Sequence, residues 1–395
     1  SAATTKSAKQ IAMNTKSTTG RLRRRTQTHR HHRLPMETFV TIERALEIAQ
    51  KIQIQLPTVL VPLSEAHNRI LSEDLSSKVD DPAFDNSAMD GWAVRSTDHE
   101  RTEIGDTAAG DPPSKINEGE AIRIMTGAPI PEGADAIVMV EDGLQGKARP
   151  NFIRKQGENL TKGQTALQAG HVMTPPSISL AATMGHSNIP VRAKPRVAII
   201  STGDELIAPG ELLKEGQIYE SNSYGLCALL ERIGCTPIHI DTVADNLDNL
   251  RSTLNSLDCD VILTSGGVSM GEFDYVRKLM EQEGNIHFWK VAMRPGGPPL
   301  FGTWNGTPLF GLPGNPVSSH LVFMMIVAPW LAPEIPLAKK IRVRMKDSVK
   351  GAPGKVCLRR IQIYSEDDQL VATTHTHQGS GNIHSMVAHN GVTLL

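Results

Sequence analysis

Hydrophobic periodicity divides the chain into three kinds of segment. From Thr41 the apolar residues Ile42, Ala45, Leu46, Ile48, Ala49 and Ile52 recur at helical spacing behind a polar N-cap, which predicts an amphipathic helix. Between about Leu56 and Lys194 the pattern breaks into short apolar runs separated by Pro- and Gly-rich turns: Ala93-Val94, Ala121 to Ile124, Ala136 to Val140 and Asn151 to Ile153. This spacing suits a small β-rich unit inserted into a mixed segment. Ser177 to Met184 reads as a helix stopped by Gly185.

Val197 to Ile200 opens the second half as a fully apolar strand. A helix across Tyr224 to Ile233, a strand near Pro237 to Val243, a helix across Leu247 to Leu257, the buried strand Val261 to Leu263 and a helix across Phe273 to Glu283 follow in turn. Leu309 to Leu312 then feeds a long helix from Val317, with Asn315 as N-cap and Pro316 at the first helical position. Strands alternating with helices predict a doubly wound, mostly parallel α/β sheet. After Pro336 the alternation returns to period two at Ile341 to Met345, Leu358 to Ile363 and Leu370 to Thr374, which predicts a small C-terminal β domain.

At 395 residues the chain has room for about two to four domains. A formal charge of −1 with 21% charged residues gives no global bias toward nucleic acid or a membrane surface. The longest apolar segment, Leu321 to Leu331, is sized for a helix core and is broken by Pro329. Cys227, Cys235, Cys259 and Cys357 form no C-x-x-C pair, so reduced thiols and a cytoplasmic-type compartment are expected. Residues 1–35 are rich in Arg, Lys, Ser and Thr and hold no acidic residue, a composition that cannot bury a core. They read as a disordered basic leader ahead of a natural start at Met36, with His29, His31 and His32 incidental rather than ligating.

Three strand-to-helix junctions carry the chemistry: Ser201-Thr202-Gly203-Asp204-Glu205, Ser265-Gly266-Gly267-Val268-Ser269 and Pro313-Gly314-Asn315-Pro316. Turns of this type at the carboxyl ends of parallel strands form a shared crevice, where backbone N–H groups and helix dipoles hold anionic groups. Any single glycine turn has an ordinary steric explanation; three in register call for a ligand. Asp204, Glu205, Asp245, Glu272 and Asp274 stand near strand ends, and carboxylates converging on a phosphate cradle need a cation, for which Mg²⁺ suits hard oxygen donors. Lys290 and Arg294 flank a short apolar run ahead of a rigid Pro/Gly turn and suit an oxyanion pocket. In the first half, Asp85 to Val94 reads as a loop leading into a strand, and Thr126 offers a donor at a strand end. His375 and His377 should share one face of a strand, but they lack a third ligand for a metal site.

Taken together, Asp85-Asn86-Ser87-Ala88-Met89-Asp90-Gly91, Met125-Thr126-Gly127-Ala128-Pro129, the two serine-bearing turns and Gly311-Leu312-Pro313-Gly314-Asn315-Pro316-Val317-Ser318 resemble one family in order and spacing. It comprises the molybdenum-insertion enzymes of molybdenum-cofactor biosynthesis, MoeA in bacteria and the E domains of gephyrin and its plant counterpart. The resemblance runs from about Glu37 onward. It implies a composite N-terminal domain (36–84 and 155–193), an inserted β domain (85–154), a molybdopterin-binding α/β domain (194–335) and a C-terminal β-barrel-like domain (336–395).

It further implies a homodimer whose active site lies between the α/β domain of one subunit and the inserted domain of the other. There adenylyl-molybdopterin and molybdate react with Mg²⁺ to give molybdenum cofactor and AMP, and a molybdopterin adenylyltransferase is the implied upstream partner. Carried over, the reacting residues are Asp90, Thr126, Glu205, Asp245, Asp274, Lys290 and Arg294, with Asp90, Glu205, Asp245 and Asp274 as metal ligands. Ser201, Thr202, Gly203, Ser265, Gly266, Gly267, Ser269, Pro313, Gly314, Asn315, Pro316 and Ser380 bind substrate in this reading.

The chain departs from the family at Asn159, where an acidic residue is usual, and at Gly297, where a lysine is common; it also stops before the family's usual final strands. The rival readings are an adenylyltransferase one step earlier, which needs only the α/β domain, and a non-catalytic scaffold.

Overall fold

The computed structural model describes residues 36–269, 271 and 274–395. The basic leader, Glu272 and the expected helix start at Phe273 lie outside the described residues.

The apolar runs of the second half assemble into one seven-stranded sheet. In chain order its strands are β1 (Glu37–Val40), β2 (Arg196–Thr202), β3 (Thr236–Val243), β4 (Val261–Ser265), β5 (Asn285–Val291), β6 (Leu300–Trp304) and β7 (Thr307–Leu312), and their spatial order is β1-β5-β6-β7-β4-β2-β3. Neighbours pair in parallel except at β6, which runs antiparallel to both β5 and β7. Helices α1 (Ile42–Ala49), α2 (Asn222–Arg232) and α5 (Pro316–Val322) cover one face, while α3 (Leu247–Ser256) and α4 (Tyr275–Gln282) cover the other. Val197 and Ile199 accordingly face the first helical layer and Ile200 the second, which is why β2 reads as continuously apolar. Each fully buried Ile, Leu or Phe here contributes about 1.5–3 kcal/mol. At the start of α1, Thr41 Oγ1 accepts the Arg44 N–H at 3.1 Å, as the periodicity predicts.

Three features of this unit differ from expectation. Glu37–Val40, read only as a chain start, adds β1 in parallel beside β5. The β6–β7 hairpin turns at Asn305-Gly306, both at positive φ (48° and 89°), the pair favoured in two-residue hairpin turns and a signal present in the sequence. The long helix from Pro316 is interrupted by a π-helical stretch, Phe323–Val327, before Ala328–Leu331. That wider turn stands just before Pro329, which has no N–H to continue the α-helical ladder.

The inserted unit is a four-stranded sheet ordered Thr102–Thr107, Glu120–Ile124, Gly91–Val94, Ala136–Met139. Trp92, Val94, Ala121 and Val138 pack on one of its faces, and Ala93, Ile124, Ile137 and Ile153 on the other. Segments on both sides of it combine into a separate core of Leu71, Leu75, Met173, Met184, Ile189 and Val191. There Thr58–Pro62 pairs with Asn188–Arg192, and the helix Pro175–Thr183 stops ahead of Gly185 at φ 83°.

In the C-terminal part, Arg360–Glu366 and Gln369–Thr374 form a hairpin flanked by Arg344–Met345 and Gly391–Val392. Of the expected strand Ile341 to Met345 only the last two residues pair, because residues 338–342 are exposed and have no buried face to anchor them. His375 and His377 lie beyond the end of the preceding strand, so strand alternation does not align them.

Candidate functional site

The sheet order sets the carboxyl ends of β2, β4 and β7 side by side, and the three glycine turns meet there. Gly266 N–H donates to Leu312 O at 3.0 Å, joining the second turn to the third strand. Gly266 and Gly267 have φ of 97° and 67°; a Cβ on Gly266 would stand 3.0 Å from Thr202 O, and one on Gly267 3.2 Å from Thr202 Oγ1. Bare backbone is therefore required where the first and second turns touch. Thr202 Oγ1 and Asn222 Oδ1 are buried beside these turns with no hydrogen-bond partner among the described residues. Buried polar atoms are normally satisfied, so each is an opening for a ligand or water atom.

The acidic residues gather beside the first turn. Asp245, after β3, donates its N–H to Asp204 Oδ1 at 3.0 Å. Asp274 begins α4 and accepts from the Gly271 N–H. Burial, reinforced by the negative charges of Asp204, Glu205 and Asp274, pushes the Asp245 carboxyl above the ordinary carboxylate range.

Yet among the described residues no three His, Cys, Asp or Glu stand together as a metal cage. Of the expected ligands Asp90, Glu205, Asp245 and Asp274, Asp90 lies in the inserted unit, whereas Glu205 and Asp274 stand near enough to Asp245 for their charges to raise its carboxyl. Their chemistry nonetheless fits Mg²⁺, which is commonly held by one or two carboxylates together with substrate phosphate oxygens and water.

Opposite charge enters from β5. Lys290 adopts φ 67° and sets its Nζ 4.1 Å from the Trp289 ring centroid, while Arg277 lies 4.8 Å from the same ring. Trp289 Nε1 donates to Val268 O at 3.0 Å, which fastens the ring to the second glycine turn. Arg294 is exposed, and its carbonyl accepts the Leu358 N–H at 2.8 Å, linking the sheet to the C-terminal part.

That part also reaches the third turn. Ser380 Oγ accepts from Asn315 Nδ2 at 3.0 Å, and Ser380 O accepts the Val317 N–H at 3.0 Å. Asn315 flanks α5 as expected but spends its side chain on Ser380, and the Ser380 carbonyl satisfies a first-turn donor of the helix in its place. Pro313 is buried, Gly314 and Ser269 are exposed, and Pro316 opens the helix.

Asp90 and Thr126 form a compact pair elsewhere, in the inserted sheet. Thr126 donates both its N–H (2.7 Å) and its Oγ1 hydroxyl (2.8 Å) to Asp90 Oδ1. These bonds, the backbone one first, hold the exposed Asp90 carboxyl below its usual range. Asn159, in the composite part, donates to Asp81 Oδ2 at 3.1 Å.

Glu220, Asn222 and Trp289 were not anticipated as site residues. The first two lie in a Glu-Ser-Asn-Ser tract immediately before the predicted helix at Tyr224, which is a helix-start signature.

The comparisons with known proteins agree with this geometry. Residues 40–185 match the family described as MoeA N-terminal region (domain I and II), and residues 198–333 match the probable molybdopterin binding domain. The molybdopterin molybdenumtransferase of Haemophilus influenzae is 38% identical over 316 residues, which span 74% of this chain and 77% of that protein. The chain belongs to the molybdopterin molybdenumtransferase family. The molybdopterin molybdenumtransferase of Bacillus subtilis is 33% identical over 92% of this chain and 91% of its own length. The crystal structure of the molybdopterin biosynthesis MoeA protein of Pyrococcus horikosii superposes with a TM-score of 0.75 at 31% identity, covering 90% of this chain and 94% of that one. MoeA-type architecture, with its doubly wound α/β unit and additional β-rich parts, is the fold of this protein.

Proposed function

We propose that this protein is a molybdopterin molybdenumtransferase, which inserts molybdenum from molybdate into adenylyl-molybdopterin and releases AMP. The observation that carries the reading is the meeting of the three glycine turns beside a group of carboxylates at the carboxyl ends of three neighbouring strands, in a chain that matches both MoeA regions. Backbone N–H groups and helix N-termini of the turns hold the phosphates, and Thr202, Ser265 and Ser269 supply hydroxyls. Lys290, set against Trp289, and Arg294 receive the molybdate oxyanion. In the reaction an oxygen of water or molybdate attacks the anhydride phosphorus and AMP leaves, while the dithiolene sulfurs of the pterin replace oxygen ligands of molybdate, which depart as water with the thiol protons.

Asp245 and Asp274, with Asp204 or Glu205, would hold Mg²⁺ together with substrate phosphate. When bound, the ion offsets negative charge on the adenylate and molybdate. Asp90 and Thr126 lie in the inserted sheet, and the reading brings them to the crevice of a second subunit in a homodimer. The four-domain division and a cytoplasmic setting belong to the same proposal, the latter supported by four unpaired cysteines, of which buried Cys235 has its thiol pushed up to about 12. No helix of the described residues is long and apolar enough to cross a membrane.

The test is direct. Purified protein given adenylyl-molybdopterin should release AMP when molybdate is added, with the rate rising in Mg²⁺; no molybdate-dependent AMP release would refute the activity.

A further inference from the structure

All three glycine turns depend on one short segment, Glu220 to Ser223, at the start of α2. Asn222 places both protons of its side-chain amide across the crevice floor: Nδ2 donates to Ser265 Oγ in the second turn and to Gly314 O in the third, each at 2.7 Å. The Gly314 carbonyl can only accept, which fixes the orientation of the amide. Two residues earlier, Glu220 is 4% exposed and accepts three hydrogen bonds. They come from Ser201 Oγ in the first turn (2.9 Å), from the Ser223 N–H (2.9 Å) and from Ser223 Oγ. Ser223 Oγ also shares a hydrogen bond with His239 Nε2 on β3 at 2.9 Å.

A carboxylate is costly to bury, and here three donors and the positive end of α2 offset that cost. Such an arrangement is more than is needed to start a helix, which a single Ser or Asn would do. Its distinctive property is connection: Ser201, Ser265 and Gly314 stand at or just beyond the ends of three separate strands and share one anchoring segment.

We infer that Asn222 is a positioning residue that sets the spacing of the second and third turns, with Glu220 of the same segment holding the first through Ser201, and that this spacing governs the affinity for the phosphate-bearing pterin substrate. The inference rests on the proposed function, and adds to it which residue sets the geometry. Asn222 acts through Ser265 and Gly314 in this account, so its effect on substrate binding must be coupled to the Ser265 hydroxyl.

The test is a double-mutant cycle of Asn222→Ala and Ser265→Ala, read as the Kd for adenylyl-molybdopterin without molybdate, alongside KM, kcat and the melting temperature. Asn222→Ala should weaken binding about ten- to hundredfold. Ser265→Ala should cost less binding in the Asn222→Ala background than in the wild type, since the bond between the two is already gone. Glu220→Gln, which keeps the shape but turns an acceptor into a donor facing Ser201 or Ser223, should raise Kd in the same direction. Asn222→Ser, which restores one hydroxyl donor, should recover part of the loss and serves in place of the alanine variant if that variant does not fold.

A purely structural role would lower the melting temperature without a coupled change in Kd. An unchanged Kd in folded Asn222 variants, or effects that simply add, would overturn the inference. Failure of the wild-type protein to bind adenylyl-molybdopterin would instead overturn the substrate reading on which it rests.

Discussion

The crevice of the α/β unit and the Asp90–Thr126 pair of the inserted unit are built on opposite plans. The crevice is closed upon itself: three turns, α2, Trp289 and Ser380 of the C-terminal part are bonded into one framework, with Thr202 Oγ1 and Asn222 Oδ1 buried and without a hydrogen-bond partner among the described residues. The Asp90–Thr126 pair is exposed, and the bonds to its carboxylate come from the neighbouring loop of the same sheet. A carboxylate held ionised and presented to solvent has the form of one half of a site. The difference teaches that binding geometry is set by long-range bonds within the α/β unit, whereas, in the proposed function, completing the chemistry calls on a second chain.

The largest expected effect tests the closed half. Gly266→Val forces a β-branched side chain into φ 97° and against Thr202 O, and should lower AMP release by about a hundredfold through loss of substrate binding. Retention of wild-type affinity would show that contact between the first two turns is not needed.

On the open half, Thr126→Val removes the hydroxyl bond to Asp90 but keeps the backbone one. It should lower kcat about tenfold while leaving the Kd for adenylyl-molybdopterin unchanged. The Asp90 carboxyl should titrate higher in the variant, part of the way back to its ordinary range, in a side-chain NMR titration. A rise in Kd equal to the fall in kcat would place Thr126 in binding and blur the distinction between the two regions.

The smallest effect concerns stability. The Asp245 carboxyl is raised in the folded state, so between its ordinary and its raised value the folded protein holds a proton that the unfolded chain has already released. Its contribution is therefore greatest below the usual carboxylate range and falls as pH rises through the raised value. Asp245→Asn should melt about 1–3 °C above wild type near pH 7, with the gap closing toward pH 4, even as activity is lost. A variant less stable than wild type at neutral pH would mean that the acidic group is already compensated in the free protein.

Much of this arrangement was legible in the residue pattern, for a physical reason. Strands buried on both faces must be continuously apolar, and turns that approach another backbone must be glycine, so β2, β4, β7 and their junctions announce themselves locally. The same holds for α1, whose stripe and Thr41 cap are read within a few residues. What escaped is set by contacts distant in sequence. β1 is four residues long and is a strand only because β5 offers it an edge. Asn222 is an ordinary helix-start residue until the fold brings Ser265 and Gly314, 43 and 92 positions away, to its amide. The grouping of the acidic residues escaped for a related reason: they can be counted along the chain, but their convergence depends on which sheet carries each one.

The claim that the site is shared between subunits is tested most directly by complementation. Asp90→Ala and Asp274→Ala chains, each inactive alone, are mixed under conditions where subunit exchange is verified by a mass tag, and molybdate-dependent AMP release is measured. A mixed dimer holds one site free of both substitutions, so an equal mixture should recover about a quarter of wild-type activity. No recovery despite verified exchange, or an active species that sediments as a monomer, would contradict the account.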